Sequence, residues 1–480
     1  MLNFLKSKPR LICYVNDFDT DDRAWVPEIW AAETLAILEE NMVIGRLVHT
    51  DFENEIASFG DTVNSRKPGS FTAKRKGVND DVTVQNATAT KVPVVLNQHV
   101  HTSFMIRDGE ESKSFADLIT EYLSPAAKSL AENIDRILLG QVYQFRANQV
   151  AIDPDNTTDD IKDAILDVRN EMNVNKVPVE GRNLILTPTT ETEALKLDLF
   201  ISADKIGDDG TAMRKASLGE KLGFSTFMCQ NTPGIPSGTY TDGTTDAAGS
   251  VDGAHLIGDN TIVMTTDSSA ILPGMYIAFT DNDGGIYRVT ASTATLMTLD
   301  NGILSDIADD TFVRYFTNGT VALTADTATA YPAGYEKPIN VNNEVTPQVG
   351  QLVGFSTDAD VLVSGEYCII DVAEGVNATD YYITLDRPLD AALAEAYKVN
   401  YGPIGQYNFA FDRSALALVV RPLALPKEGT GAQAGVSSYN DLAMRVVVTY
   451  DGVKQGHLVT LDLLCGVKVL DTDRGAILKR

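Results

Sequence analysis

Gly274–Val289 reads GMYIAFTDNDGGIYRV, and Gly350–Ile370 reads GQLVGFSTDADVLVSGEYCII. Gly274, Phe279, Gly285 and Tyr287 of the first stretch answer to Gly350, Phe355, Gly365 and Tyr367 of the second. The agreement runs on. Thr298-Leu299-Asp300 answers to Thr384-Leu385-Asp386, and a V-x-Y triplet follows in each copy, Val313 and Tyr315, then Val399 and Tyr401. A pattern repeated at this length marks one supersecondary unit copied in tandem. The repeat spans about residues 235–402, and its flanks do not repeat. They read as two segments of one larger body, split by an all-β insert of two repeats.

Charge sets the insert apart as well. The chain has 480 residues, a prior of about three domains. Its 44% hydrophobic and 22% charged residues are ordinary for a globular protein. The formal net charge of -27 is not. Residues 231–410 hold 23 Asp and Glu against five Lys and Arg, so 18 of the 27 net negative charges lie there. Such asymmetry bears on solubility and partners rather than on fold. It predicts an insert that faces water, not nucleic acid. Cys13, Cys229, Cys368 and Cys465 are scattered without metal-type spacing, which suits a reducing compartment. The opening MLNFLKSKPR lacks the apolar core of a signal peptide, and no run reaches the length of a membrane span. A soluble, cytosolic protein is expected.

The flanks read as α+β. Residues 1–25 are polar and read as an extended arm. A helix is expected over 27–45, with Pro27 in its first turn and Ile29, Leu35, Ile37 and Leu38 as an apolar stripe. Residues 57–106 read as a long β-hairpin with polar faces. Its limbs are Phe59–Val63 and Thr90–Leu96, and it carries Arg66, Lys67, Lys74, Arg75 and Lys76. A hairpin without an apolar face is marginal alone, so a partner subunit is expected to cover it. The strongest helix signal lies in 113–148. Ser124 is the expected cap, Pro125 takes the first position, and Leu130, Ile134, Ile137, Leu138, Val142 and Phe145 recur at helical spacing. From Pro125 it should run about 23 residues, or roughly 35 Å. A shorter helix precedes it over about 114–123. Further helices are expected over 157–177, with Thr158 as cap and Ile161, Ile165, Val168 and Met172 on one face, and over 189–200. Arg182–Thr187 is a strand, and 218–230 a turn at Gly223 followed by a strand. After the insert, 405–424 resumes as strand, helix and strand about Asp412–Ala415. Residues 443–470 form two strands joined at Asp451-Gly452.

Catalytic vocabulary is thin. No P-loop, dinucleotide fingerprint, nucleophile elbow or H-E-x-x-H is present. His99 and His101 share one strand face but lack a third ligand nearby; two polar groups on an exposed face is the plainer reading. Asp281–Gly285 resembles the start of a calcium loop yet lacks the later acidic ligand, and a Gly-rich turn accounts for it. The basic cluster Arg66, Lys67, Lys74, Arg75 and Lys76 could meet phosphates. A solvated strand edge guarded by cations, or a contact with acidic surface on a neighbouring subunit, suits so acidic a chain better. No metal, cofactor or catalytic residue is assigned, and no enzyme activity is expected.

The order of elements resembles one family. SPAAKSLAENIDRILLG looks like the long spine helix of tailed-bacteriophage major capsid proteins of the Hong Kong 97-type fold. AMRKASLGEKLGFSTFMCQNTP looks like the segment entering that family's axial domain. FAFDRSALALVVRPL and RVVVTYDGVKQGHLVTLDLLCGVKVL look like its closing strands. The insert falls where some short-tailed-phage coat proteins carry an extra β-domain, but here it is doubled. The resemblance implies a plan: 1–56 N-terminal arm and helix, 57–106 extended loop, 107–154 peripheral domain with spine helix, 155–234 first segment of the axial domain. It continues as 235–402 duplicated insertion domain, 403–440 second segment of the axial domain and 441–480 C-terminal strands.

It further implies a homo-oligomer of pentamers and hexamers, an icosahedral shell around double-stranded DNA held without sequence-specific contact. A portal protein and a possible decoration protein would be partners, in a virion assembled in the host cytoplasm, with no membrane. The lack of a helical leader before residue 27 points to a separate scaffolding protein. Some relatives cross-link a lysine to an asparagine with the help of a glutamate. Lys67, Lys74 and Lys76 lie in the matching loop, but no asparagine or glutamate is assigned, and no cross-link is expected. An encapsulin-type compartment shell and an adhesin with tandem β-modules are the alternatives.

Overall fold

A computed structural model describes residues 27–50, 62–67, 72–76, 81–82, 84–85, 90–108, 122–152, 160–197, 219–235, 241–242, 250–265, 271–279, 285–315, 319–322, 331–342, 346–375, 377, 379–402, 405–427, 431–439 and 442–480. The expected arm, most of the short helix over 114–123, the Thr158 cap and residues 281–284 of the calcium-like loop lie outside them. The fold is mixed α+β, mostly sheet with few helices. No helix among the described residues is long and apolar enough to cross a membrane.

Four α-helices are described: α1 (Pro27–Asn41), α2 (Ser124–Gly140), α3 (Asp160–Val174) and α4 (Pro188–Ala194). In α2, Ala126, Ala127, Leu130, Ala131, Ile134, Ile137 and Leu138 are buried, the face its periodicity predicts. It packs against α1 and the strand Gln98–Arg107. Two expectations for α2 fail. Ser124 does not cap it: Leu123 already has helical torsions, and no side chain bonds the exposed amides. The α-helix also stops after 17 residues, and Gln141–Asn148 winds on as a 3-10 helix broken at Phe145. The reason is lateral. Gln141, Arg146 and Asn148 are buried polar residues whose partners lie on other elements, so this segment follows those partners rather than its own axis.

Two sheets build the body. In one, Gly456–Val469 pairs with Leu416–Arg421, Leu442–Asp451 and Gln98–Arg107, and Ala432–Tyr439 adds to Leu442–Asp451. In the other the order is Gln149–Ala151, Gly475–Lys479, Gly405–Asp412, Arg182–Leu186, Phe224–Met228, Glu220–Lys221, with Gly234–Ile235 also on Gly405–Asp412. Ile161, Ile165, Val168 and Met172 of α3 share a core with strand residues Leu184, Leu186, Ala410 and Leu478 of this sheet. Thr187 caps α4 by accepting the Thr190 N–H.

These pairings fix the bounds of the elements. The hairpin is Thr62–Lys67 against Thr90–Val95, in register from Thr62↔Val95 to Lys67↔Thr90. Residues 98–107 leave the expected loop and enter the body sheet, because Val100 and Phe104 pack on its core. The ranges 403–440 and 441–480 are each divided between the two sheets, since the chain crosses over at the single 3-10 turn Arg413–Ala415 and returns with Gly475–Lys479. The hairpin root is also not all polar. Val63, Val94 and Leu96 are buried against Ala417 and Val419 of the same chain.

Between the two body segments lie two β units. The first has the strand order Thr261–Val263, Leu296–Leu299, Tyr287–Ser292, Tyr276–Phe279, Val313–Tyr315, Thr241–Asp242. The second has the order Ile339–Asn342, Asp380–Leu385, Leu362–Glu374, Leu352–Ser356, Lys398–Tyr401, Gly319–Val321, and closes back on itself as a barrel. Phe279 pairs with Val313 and Ile277 with Tyr315; Phe355 pairs with Val399 and Val353 with Tyr401. Gly274 N–H donates to Val289 O at 2.8 Å, and Gly350 N–H to Ile369 O at 2.7 Å. The backbone of Leu304 donates to the Tyr287 hydroxyl at 2.9 Å, and that of Asp390 to the Tyr367 hydroxyl at 2.7 Å. Corresponding residues therefore make corresponding bonds.

Candidate functional site: a basic hairpin and a buried junction of charges

The five cations singled out from sequence all belong to the hairpin, but to different stretches of it. Arg66 and Lys67 end the strand Thr62–Lys67, where they pair with Lys91 and Thr90. Lys74, Arg75 and Lys76 follow in a non-strand segment whose described residues, Thr72–Lys76, are all exposed. The Gln85 side chain accepts the Thr72 N–H at 3.0 Å and ties the two limbs beyond the ladder. Val82 and Val84 on the returning limb are 72% and 85% exposed. Exposed cations thus stand on one limb beyond the ladder and two exposed valines on the other.

His99 and His101 stand with ring centroids 5.8 Å apart. His99 Nε2 lies 3.3 Å from Asp462 Oδ2, and Arg445 Nε donates to Asp462 Oδ1 at 2.9 Å. The carboxylate nearest the pair is thus already held by an arginine. No group of three or more metal-type ligands occurs among the described residues.

Sequence reasoning missed a second site, where body and both β units meet. Arg146 Nη2 donates to Glu366 Oε1 at 2.7 Å, and Arg288 Nη1 donates to the same oxygen at 2.9 Å. Arg146 also lies 2.7 Å from Asp300 Oδ2, an ion pair outside hydrogen-bonding angle. Both guanidinium carbons sit near the Tyr276 ring, at 5.7 and 5.6 Å from its centroid. Arg146 belongs to the body, Arg288 and Asp300 to the first unit, Glu366 to the second. Burial pushes the Glu366 carboxyl up, and the two guanidinium groups more than reverse this, so it sits below the usual carboxylate range. Asp300 is pushed up, chiefly by burial. Two positive and two negative groups compensate one another in a nearly dry place, the condition under which buried charge is tolerated.

The twin aspartates of the repeated T-L-D run explain the docking. Asp300 Oδ1 accepts the Arg288 N–H at 2.9 Å, and Asp386 Oδ1 accepts the Cys368 N–H at 2.8 Å. In each unit one carboxylate oxygen closes the unit's own turn. The other is spent on the body: Asp300 Oδ2 on Arg146, and Asp386 Oδ2 on Gln141, which donates at 2.6 Å. Gln141 and Arg146 lie on one 3-10 segment, so that segment is gripped by both units. Gln98 donates to the Asp386 carbonyl at 2.9 Å, and Tyr143 to the Gly350 carbonyl at 2.8 Å. A Cβ on Gly140 would come within 2.8 Å of the Asp386 side chain, so the α-helix ends where only glycine admits the unit. Full burial raises the Asp386 carboxyl to about 6. The T-L-D signal was visible in sequence; the residues it grips were not.

No family model matches the chain, and no curated protein matches it. Solved structures do resemble it. A chain of Mycobacterium phage Che8 matches with TM-score 0.43 and 14% identity, over 91% of this chain and 90% of that one. The capsid structure of the cyanophage P-SCSP1u matches with TM-score 0.42 and 10% identity, over 97% and 92%. The mature capsid of bacteriophage PhiM1 matches with TM-score 0.38 and 10% identity, over 88% and 82%. None of the three reaches a TM-score of 0.5.

Proposed function

We propose that this chain is a shell subunit, the major capsid protein of a tailed bacteriophage of the Hong Kong 97 type. In this reading it assembles into pentamers and hexamers that close an icosahedral container around double-stranded DNA. The two β units form a duplicated insertion domain on that frame. The work is mechanical and not enzymatic. A portal protein, a separate scaffolding protein and a decoration protein are the other partners of the reading. The virion is its place, after assembly in the host cytoplasm.

The observation that carries the reading is the hairpin. Its root is locked into the chain's own core by Val63, Val94 and Leu96, while Lys74–Lys76, Val82 and Val84 stand exposed beyond it. An arm held at one end and bare at the other is built to reach another molecule. Repeated across a closed symmetry, modest contacts of this kind sum to a stable shell. The acidic balance fits a container that should not grip its cargo.

Electron microscopy of the purified chain tests the reading. Hollow icosahedral particles are the expected result. A discrete monomer under all assembly conditions, with the hairpin protected from protease, would overturn it.

A further inference from the structure

The duplication supplies an internal control for one surface feature. His255 and Ile307 exchange two backbone bonds of 2.9 Å, as Tyr331 and Leu393 exchange bonds of 2.8 and 2.9 Å. Gly258 N–H donates to Ile303 O at 2.8 Å, and Gly334 N–H to Leu389 O at 2.7 Å. Both turns therefore follow one backbone plan. Between these fixed points the second unit carries Pro332-Ala333 and the first Leu256-Ile257. The turn closes without large aliphatic side chains, yet Leu256 and Ile257 are 64% and 67% exposed. An apolar pair that the fold does not require, held out to water on a pinned turn, marks a contact surface.

The charges around it differ too, and Asp309, Asp259 and Asp306 also accept the N–H groups of Gly253, Leu256 and Ile257. Asp252, Asp259, Asp306, Asp309 and Asp310 are all exposed about this turn. Their counterparts in the second unit, matched through the shared bonds, are Ala322, Tyr335, Ala392, Glu395 and Ala396, with one carboxylate among the five. The opposite chemistry occurs in the hairpin. Residues 62–95 hold six Lys and Arg against two Asp, in a chain whose net charge is -27. Its exposed residues include three of those cations, Lys74, Arg75 and Lys76, together with Val82 and Val84.

We infer that the exposed portion of one copy's hairpin docks on the Leu256-Ile257 turn of a second copy. Lys74, Arg75 and Lys76 face the five carboxylates, and Val82 and Val84 meet the two aliphatic side chains. The inference rests on the shell reading and names the surface on which the arm lands. Opposed charge guides the approach and sets the register, and apolar contact holds the arm once it arrives.

The test uses full-length chains in a Cys13→Ser background, since Cys229, Cys368 and Cys465 are buried. Copies carrying Lys74→Cys are co-assembled with copies carrying Asp252→Cys and treated with a bismaleimide. A cross-linked dimer on a denaturing gel is expected from mixed particles and not from particles of either variant alone. Leu256→Ala with Ile257→Ala keeps the turn's N–H bonds to Asp259 and Asp306 and should lower the dimer yield roughly ten-fold, the equivalent of about 1.4 kcal/mol. Particles that form normally but yield no mixed dimer overturn the inference and leave the shell reading standing. In a further chain that carries both Lys74→Cys and Asp252→Cys, cross-linking only within single chains does the same. Absence of particles from the parent chain overturns both.

Discussion

The two β units share a strand order and a bond plan, yet they close differently. In the second, Gly319–Val321 pairs with Ile339–Asn342 on one side and Lys398–Tyr401 on the other, completing a barrel. In the first, the described residues of that seam make the bridges Ser250↔Phe312 and Val251↔Met264, and Thr265 N–H donates to Ser250 O at 2.8 Å. Backbone bonds match across the units: Val251 N–H to Thr311 O corresponds to Val321 N–H to Tyr397 O, at 2.9 and 2.8 Å. The duplicated units thus keep matching backbone bonds along this seam. Buried backbone groups cannot go unpaired without loss, whereas rim groups have water.

The largest expected effect sharpens the contrast between what each unit shares and what it lends to the junction. Glu366→Ala leaves Arg146 and Arg288 without their common acceptor. Removing one side of a buried charge cluster costs about 3–5 kcal/mol, and denaturant unfolding should show that loss. Ala at the twin position of the first unit, Ile286→Ala, should leave the charge cluster intact. A loss under 1 kcal/mol for Glu366→Ala would mean that the charge cluster does not hold the units in place.

The next effect is a pH dependence. Asp386 is raised to about 6 by burial, above its unfolded value, so its stabilising contribution is complete below the unfolded pKa and is lost as pH rises through about 6. The advantage of the parent over Asp386→Asn should therefore shrink between about pH 4 and pH 6 and stay flat above, by about 3 kcal/mol in all. Paired unfolding curves across that range check it, and a parallel pair of curves would show that the carboxyl does not titrate there.

A smaller difference separates two glycines. Gly285 and Gly365 each sit against a tyrosine hydroxyl, where an added Cβ would come within 2.3 and 2.2 Å. Only Gly365 also has a positive φ, +107°. Gly365→Ala should cost about 2–3 kcal/mol and Gly285→Ala about 1 kcal/mol less, read by thermal unfolding. The smallest effect is a gain. Asp310 and Ala396 occupy one left-handed position, at φ of 65° and 66°. Aspartate tolerates it and alanine does not, so Ala396→Gly should stabilise by about 0.5–1 kcal/mol and Asp310→Gly by close to zero. Equal responses would show that the two turns are not under equal backbone constraint.

Much of this was legible in the residues. The apolar faces of α2 and α3 follow from periodicity, and the structure buries them; the V-x-Y strands follow from the repeat. The T-L-D runs were visible as a repeat, though not as docking groups. What periodicity could not show was the end of α2 at Gly140, because the cause lies on Asp386, far along the chain. Nor could it show the junction. Arg146, Arg288, Asp300 and Glu366 look like ordinary surface charges when read singly, and only their convergence makes them buried partners. Likewise Val63, Val94 and Leu96 are too few to read as an apolar face until Ala417 and Val419 are placed opposite.

The sequence by itself determined the pieces: a duplicated β pattern, an amphipathic helix, an isolated basic hairpin in an acidic chain. These depend on neighbours a few residues apart, or on copies of one pattern, and short-range periodicity encodes them. The tertiary structure decided where each piece ends and what it holds. A buried carboxylate or guanidinium takes its meaning from the charge that meets it across space, and that meeting is set by packing, not by spacing along the chain.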